Sequence, residues 1–85
     1  MEKSTFTREY RILRTLLRDF RLAAKVTQEE LARSIGETQS YVSKCERGER
    51  RLDLVQLRVF CEAIGMDLTN FVAAFEAAIA RRKKP

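Results

Sequence analysis

The stretch Thr27–Leu57, TQEELARSIGETQSYVSKCERGERRLDLVQL, decides how this chain folds. Thr27 followed by Glu30 is a capping box: the hydroxyl accepts an N–H of the first helical turn while the carboxylate returns to the N-cap N–H. Val26 stands before it as a staple to Leu31, and the same grammar recurs at Asp53 and Gln56, with Leu52 placed to staple to Leu57. Gly36 and Gly48 fall where the apolar periodicity stops, and glycine takes the left-handed conformation past a helix end without a Cβ penalty. The spacing predicts helices from Gln28 to Ile35, from Gln39 to Arg47, and from Leu54 onward. The middle helix carries Tyr41, Val42 and Cys45 on one side and Gln39, Ser40, Ser43, Lys44 and Arg47 on the other. A merely solvated face mixes carboxylates with lysines. This arc has none.

Working outward, Tyr10, Leu13, Leu17 and Phe20 form one stripe of a helix expected from about Thr7 to Ala24. The helix from Leu54 is expected to stop at Ile64 before Gly65, and Asp67 caps a last one from Leu68 to about Arg82, with Met66 placed to staple to Phe71. No alternating β-branched run occurs, and only one Pro and three Gly interrupt the chain. The expectation is an all-α, five-helix single domain over residues 1–85, near the lower size limit for a self-sufficient core. A Thr27→Ala change in such a fold costs ~1 kcal/mol.

Composition narrows function. No apolar run approaches the ~20 residues of a membrane span and no signal-peptide core is visible, so a cytoplasmic protein is expected. There is no His, and Cys45 and Cys61 stand in no C-x-x-C arrangement, which argues against a metal site; no cofactor is expected. Both cysteines fall on apolar faces as small buried residues, with a redox pair as the alternative. The net charge of +5 is uneven. Lys3, Arg8, Arg11, Arg14, Arg18 and Arg21 outnumber Glu2, Glu9 and Asp19 at the start, and Arg81, Arg82, Lys83 and Lys84 close the chain in a basic tail spanning 81–85. Uneven basicity points to a polyanionic partner, or only to solvated ends.

Two short helices joined across Gly36 have the arrangement of a helix-turn-helix. With Gln28 as the first position, Leu31, Ile35, Val42 and Cys45 occupy the apolar positions of the motif, and Ala32 and Gly36 its small residue and turn glycine. On these residues the stretch resembles the Cro/C1-type (XRE family) helix-turn-helix proteins, with a lambda-repressor-like domain, over about residues 17–71. The resemblance places a buried ion pair at Arg21 and Glu46, tying the first helix to the third. Two positions depart from it: Lys25 stands where many members have Gly, and Cys45 replaces a larger aliphatic.

The resemblance implies a sequence-specific double-stranded DNA-binding transcriptional regulator, with the third helix in the major groove. Carried over by position, the base readers are Thr38, Gln39, Ser40, Ser43 and Lys44; Gln suits adenine, Lys suits guanine, and the Thr methyl packs on thymine. Backbone contacts fall to Gln28, Tyr41, Arg47, Arg50 and Arg51. Tyr41 has a competing role in the core, and Arg50 and Arg51 a competing one as solvated loop charges.

The last helix adds a second expectation. From Phe71 to Ala80 its only charge is Glu76, and Phe71, Val72, Phe75 and Ile79 form a stripe among alanines. A helix apolar nearly all round needs cover on two sides, so these four residues are expected at a homodimer interface; alanine's helix propensity is the other explanation. A homodimeric repressor reading a pseudo-palindromic operator is the leading reading. The alternatives are an antitoxin that binds a toxin through the last helix and tail, and a restriction–modification controller protein. An enzyme is not expected: Ser40 and Lys44 are spaced like a Ser–Lys dyad, but on an exposed cationic face.

Overall fold

The computed structural model describes residues 4–83; Glu2, Lys3 and Lys84, part of the uneven charge, lie outside the described residues. Among the described residues there are five helices and no strand: α1 (Ser4–Ala23), α2 (Gln28–Ile35), α3 (Gln39–Arg47), α4 (Leu54–Ala63) and α5 (Leu68–Lys83). The bounds of α2 and α3 are those the sequence predicts. The first helix begins three residues earlier than expected, at Ser4 rather than Thr7, and α4 ends at Ala63 with Ile64 as its cap.

The helix starts follow the capping chemistry. Thr27 Oγ1 accepts the Glu30 N–H at 3.0 Å and Glu30 Oε1 accepts the Thr27 N–H at 2.9 Å. Asp53 and Gln56 exchange the same pair of bonds, both at 2.8 Å. Thr38 caps α3 by accepting the Tyr41 N–H at 3.1 Å.

The helix ends share one device. An N–H reaches back five residues to an otherwise orphaned carbonyl: Val26 to Arg21, Glu37 to Ala32, Glu49 to Lys44 and Met66 to Cys61. That closure needs a left-handed residue. Gly36, Gly48 and Gly65 supply it after α2, α3 and α4, and Lys25 supplies it after α1 with φ 62°. The departure noted at Lys25 is thus a real backbone cost, borne by a residue with a Cβ.

The core lies where the helices converge. Leu17, Leu31, Val42, Cys45, Phe60, Cys61 and Phe71 are essentially sealed from solvent. Here α1 packs on α3 and α5, α2 on α3 and α4, and α4 on α5. Ala32 is 3 % exposed at the α2–α3 crossing, where a larger side chain would overpack the core. Phe20 meets Phe71 edge-on with ring centroids 5.9 Å apart, and Tyr41 lies against Phe60 at 6.2 Å.

The Phe71 contact corrects one expectation. At 1 % exposure, Phe71 belongs to the core and offers nothing to a second chain. Phe75 packs against the same core and Ile79 is half-buried, leaving Val72 as the exposed member of the proposed stripe. The apolar side chains most exposed on the C-terminal helices are instead Leu54 and Val55, at 65 % and 71 %, with Val59 behind them. Both helices thus carry apolar residues on two sides: Leu54, Val55 and Val59 are exposed on α4, and Val72 with the small side chains of Ala73, Ala77 and Ala80 on α5.

Candidate nucleic-acid interface

Helix α3 is held by its buried side. Val42 and Cys45 are anchored in the core, and Glu46, also buried, receives Arg21 from α1 in a two-pronged contact: Nε to Oε2 at 2.6 Å and Nη2 to Oε1 at 3.0 Å. Arg21 donates from its third nitrogen, Nη1, to the Val26 carbonyl at 2.8 Å, so the ion pair also pins the α1–α2 turn. Among the described residues no buried side-chain N or O lacks a partner. That satisfaction is what makes a buried charge pair tolerable.

The pair extends to the surface through amides. Gln28 Nε2 donates to Glu46 Oε1 at 2.9 Å, and Gln28 Oε1 accepts Gln39 Nε2 at 2.8 Å. Gln28, assigned from sequence to a phosphate, therefore spans the interior carboxylate and the first residue of α3. Gln39 keeps its own carbonyl oxygen free of any partner among the described residues.

The other assigned residues divide by geometry. Ser40 and Lys44 are exposed on the outward arc. Thr38 uses its hydroxyl in the cap, which leaves the methyl to face outward chemistry. Ser43 is half-buried and its hydroxyl accepts from Arg47 Nη1. Arg47 also pairs with Glu49, Nε to Oε2 at 2.9 Å. The guanidinium beside it holds the Glu49 carboxyl below the ordinary value, an exposed pairing that salt and water weaken.

The aromatic residues give three of the assigned side chains partners within the chain. Tyr41 packs inward, and its hydroxyl accepts Gln56 Nε2 at 2.9 Å, so the core role dominates. Burial raises its pKa. Arg50 stands over the Tyr41 ring at 5.0 Å and Arg51 over the Tyr10 ring at 4.2 Å. Both are exposed, and the ring faces of Tyr41 on α3 and Tyr10 on α1 attract their guanidinium groups.

Two residues of α1, Arg14 and Tyr10, have supporting roles that their sequence positions do not announce. Arg14 Nη1 donates to the Glu46 carbonyl at 2.9 Å, satisfying a last-turn acceptor of α3. Tyr10 accepts the Leu52 N–H at 2.9 Å and fixes the loop after α3. A signal for Arg14 was present: it lies three residues before Leu17 and seven before Arg21, a cation on an apolar stripe that had to find a buried acceptor.

Burial raises the pKa of the Cys45 thiol, and that of Cys61 to about 11; both thiols are free. Among the described residues no group of His, Cys, Asp and Glu is placed to hold a metal ion, and no single helix is long and apolar enough to cross a membrane.

Comparison with known proteins agrees with this geometry. A family model described as a helix-turn-helix domain matches residues 12–73. An XRE-family like protein from Pseudomonas syringae pv. tomato str. DC3000 is 42 % identical in sequence, with 89 % of this chain and 93 % of that one covered at a TM-score of 0.84. The clp gene regulator ClgR from Corynebacterium glutamicum is 27 % identical, covering 87 % of this chain and 79 % of its own at 0.76. The wild-type restriction-modification controller protein C.Esp1396I shares the fold at 22 % identity and a TM-score of 0.79, with 86 % and 95 % covered. No curated protein matches significantly in sequence. With the helix pair, its buried Arg21–Glu46 tie and these matches in place, the chain belongs to the XRE family of helix-turn-helix DNA-binding regulators.

Proposed function

We propose that this chain is a sequence-specific repressor that binds a pseudo-palindromic DNA operator as a homodimer, with α3 in the major groove. The observation that carries the reading is the contrast between the two sides of α3. One side is locked through Val42, Cys45 and Glu46, while Gln39, Ser40 and Lys44 stand out from it without a carboxylate among them. A carboxylate there would meet phosphates at close range. Gln39 and Lys44 are the principal base readers, Ser40 and the Thr38 methyl adapt around them, and Ser43 acts through Arg47. Arg47, Arg50 and Arg51 bind phosphates, and Gln28 positions Gln39 while its edge of α2 approaches the backbone.

In the dimer, a second copy covers Val55 and Val59 of α4 together with Val72, three of the large apolar side chains that the single chain leaves exposed alongside Leu22 and Leu54. Two α3 helices then meet successive major grooves ~34 Å apart.

Selection of bound duplexes from a random pool tests this directly. A pseudo-palindromic consensus is expected. Lys44→Ala then costs about 1–3 kcal/mol and relaxes preference at one base pair, while Arg51→Ala weakens all sequences alike and lowers the salt slope by about one. If Lys44→Ala weakens cognate and random DNA equally, Lys44 is not a base reader. If no duplex is enriched, the proposal falls.

A further inference from the structure

An open groove of about 260 Å³ runs between α1 and α5. Its floor is apolar, from Ile12 and Leu16 of α1 and Ala78 of α5, and its rim carries Arg8, Arg11, Arg81 and Arg82. The four arginines are exposed, and among the described residues none pairs with a carboxylate. The acid of the lining is Asp19, which lies 3.9 Å from Arg18. The α1 members of this lining do not include Arg14 and Arg21, the two arginines of α1 that reach to α3.

We propose that this groove docks an acidic segment of a partner protein, anchored by one large apolar side chain. The volume accepts one such side chain and no folded domain. The ring of unpaired guanidinium groups calls for several carboxylates around it, since Arg pairs carboxylates with a planar, two-pronged fit. A phosphate backbone would use the rim and leave the apolar floor in water, so the floor favours a peptide over nucleic acid. The site is independent of the operator-binding proposal, because it shares no residue with the α3 surface.

The test measures fluorescence anisotropy of a short dye-labelled peptide rich in Glu and Asp and bearing Leu and Phe, titrated with the full chain. A second peptide has Ser in place of Leu and Phe. The first is expected to bind, and the second to bind roughly tenfold more weakly. Arg11→Glu with Arg82→Glu, both at exposed positions, is expected to weaken the first peptide by tenfold or more, with the helical circular dichroism unchanged. Arg33→Glu with Arg58→Glu, a charge-matched control on α2 and α4, is expected to leave it bound. Equal binding of both peptides, equal loss in both double variants, or no binding at all overturns the proposal. Displacement of the peptide by random duplex DNA, with DNA binding lost in the Arg11/Arg82 variant, identifies the groove as a nucleic-acid surface and overturns it too.

Discussion

Gln39 does not stand free on α3: its side-chain amide donates to Gln28 Oε1 at 2.8 Å, and Gln28 donates onward to the buried Glu46. A base reader is most selective when its own rotamer is held before DNA arrives. Gln28→Ala is therefore expected to lower affinity for the selected site by about tenfold, near the 1.4 kcal/mol scale of one hydrogen bond, without a matching loss on random DNA. In a cycle with Gln39→Ala, coupling of about 0.5–3 kcal/mol is expected. An additive cycle would mean that Gln28 does not orient Gln39.

Glu46 receives three side-chain donors, two from Arg21 and one from Gln28. Glu46→Ala strands the Arg21 guanidinium in the interior and is expected to cost about 3–5 kcal/mol of unfolding free energy. Replacing both charges with apolar residues of similar volume, Arg21→Met with Glu46→Leu, is expected to recover much of that loss. Urea midpoints check both. A double variant no better than Glu46→Ala would show that the pair's hydrogen bonds, not its charge balance, hold α1 to α3.

The left-handed positions differ in what surrounds them. A Cβ on Gly36 meets nothing within 4 Å, but one on Gly48 comes 2.7 Å from Arg14 Nε. Both substitutions to Ala carry ~1–2 kcal/mol of backbone strain. Gly48→Ala also displaces the arginine that caps α3, so its thermal midpoint is expected to fall further than that of Gly36→Ala. Adding Arg14→Ala to Gly48→Ala is expected to cost less than Arg14→Ala alone. The reverse change at Lys25, to Gly, relieves strain and is expected to stabilise by up to about 1 kcal/mol. Lys25 lines the open cleft shared with Gln28 and Gln39, where its charge favours a phosphate.

Burial raises the Cys61 thiol pKa from its ordinary value of 9.0 to about 11. The folded state thus holds this proton more tightly than the unfolded chain. The resulting stability is fully present below pH 9.0 and is lost as pH rises through about 11, by at most ~1.4 kcal/mol per pH unit. Urea midpoints across that window are expected to fall, and Cys61→Ala to flatten the fall. The same burial makes the folded thiol slow to alkylate near neutral pH. Rapid labelling of Cys61 in folded protein would contradict it.

Helix bounds were legible because short-range chemistry sets them. A hydroxyl or carboxylate three residues before its partner, and a glycine past the last turn, leave few other places for α2 and α3 to begin and end. The Arg21–Glu46 pairing was reached through family likeness, since the two residues are 25 apart in sequence and nothing local connects them. Lys25 is legible for the same reason: the family position wants glycine, and its backbone is left-handed here.

What the chain order alone determined is therefore the set of five helices, the acid-free face of α3 and the residues proposed to touch DNA. Tertiary structure decided which of those residues are occupied: Gln28 between Glu46 and Gln39, Arg47 between Ser43 and Glu49, and Tyr41 beneath Arg50. It also drew Phe71 into the core against Phe20 of α1, and left Leu54 and Val55 of α4 exposed alongside Val72 of α5. Periodicity says that a face is apolar. Which neighbour covers it depends on how distant helices cross, and that is settled only when the whole chain packs.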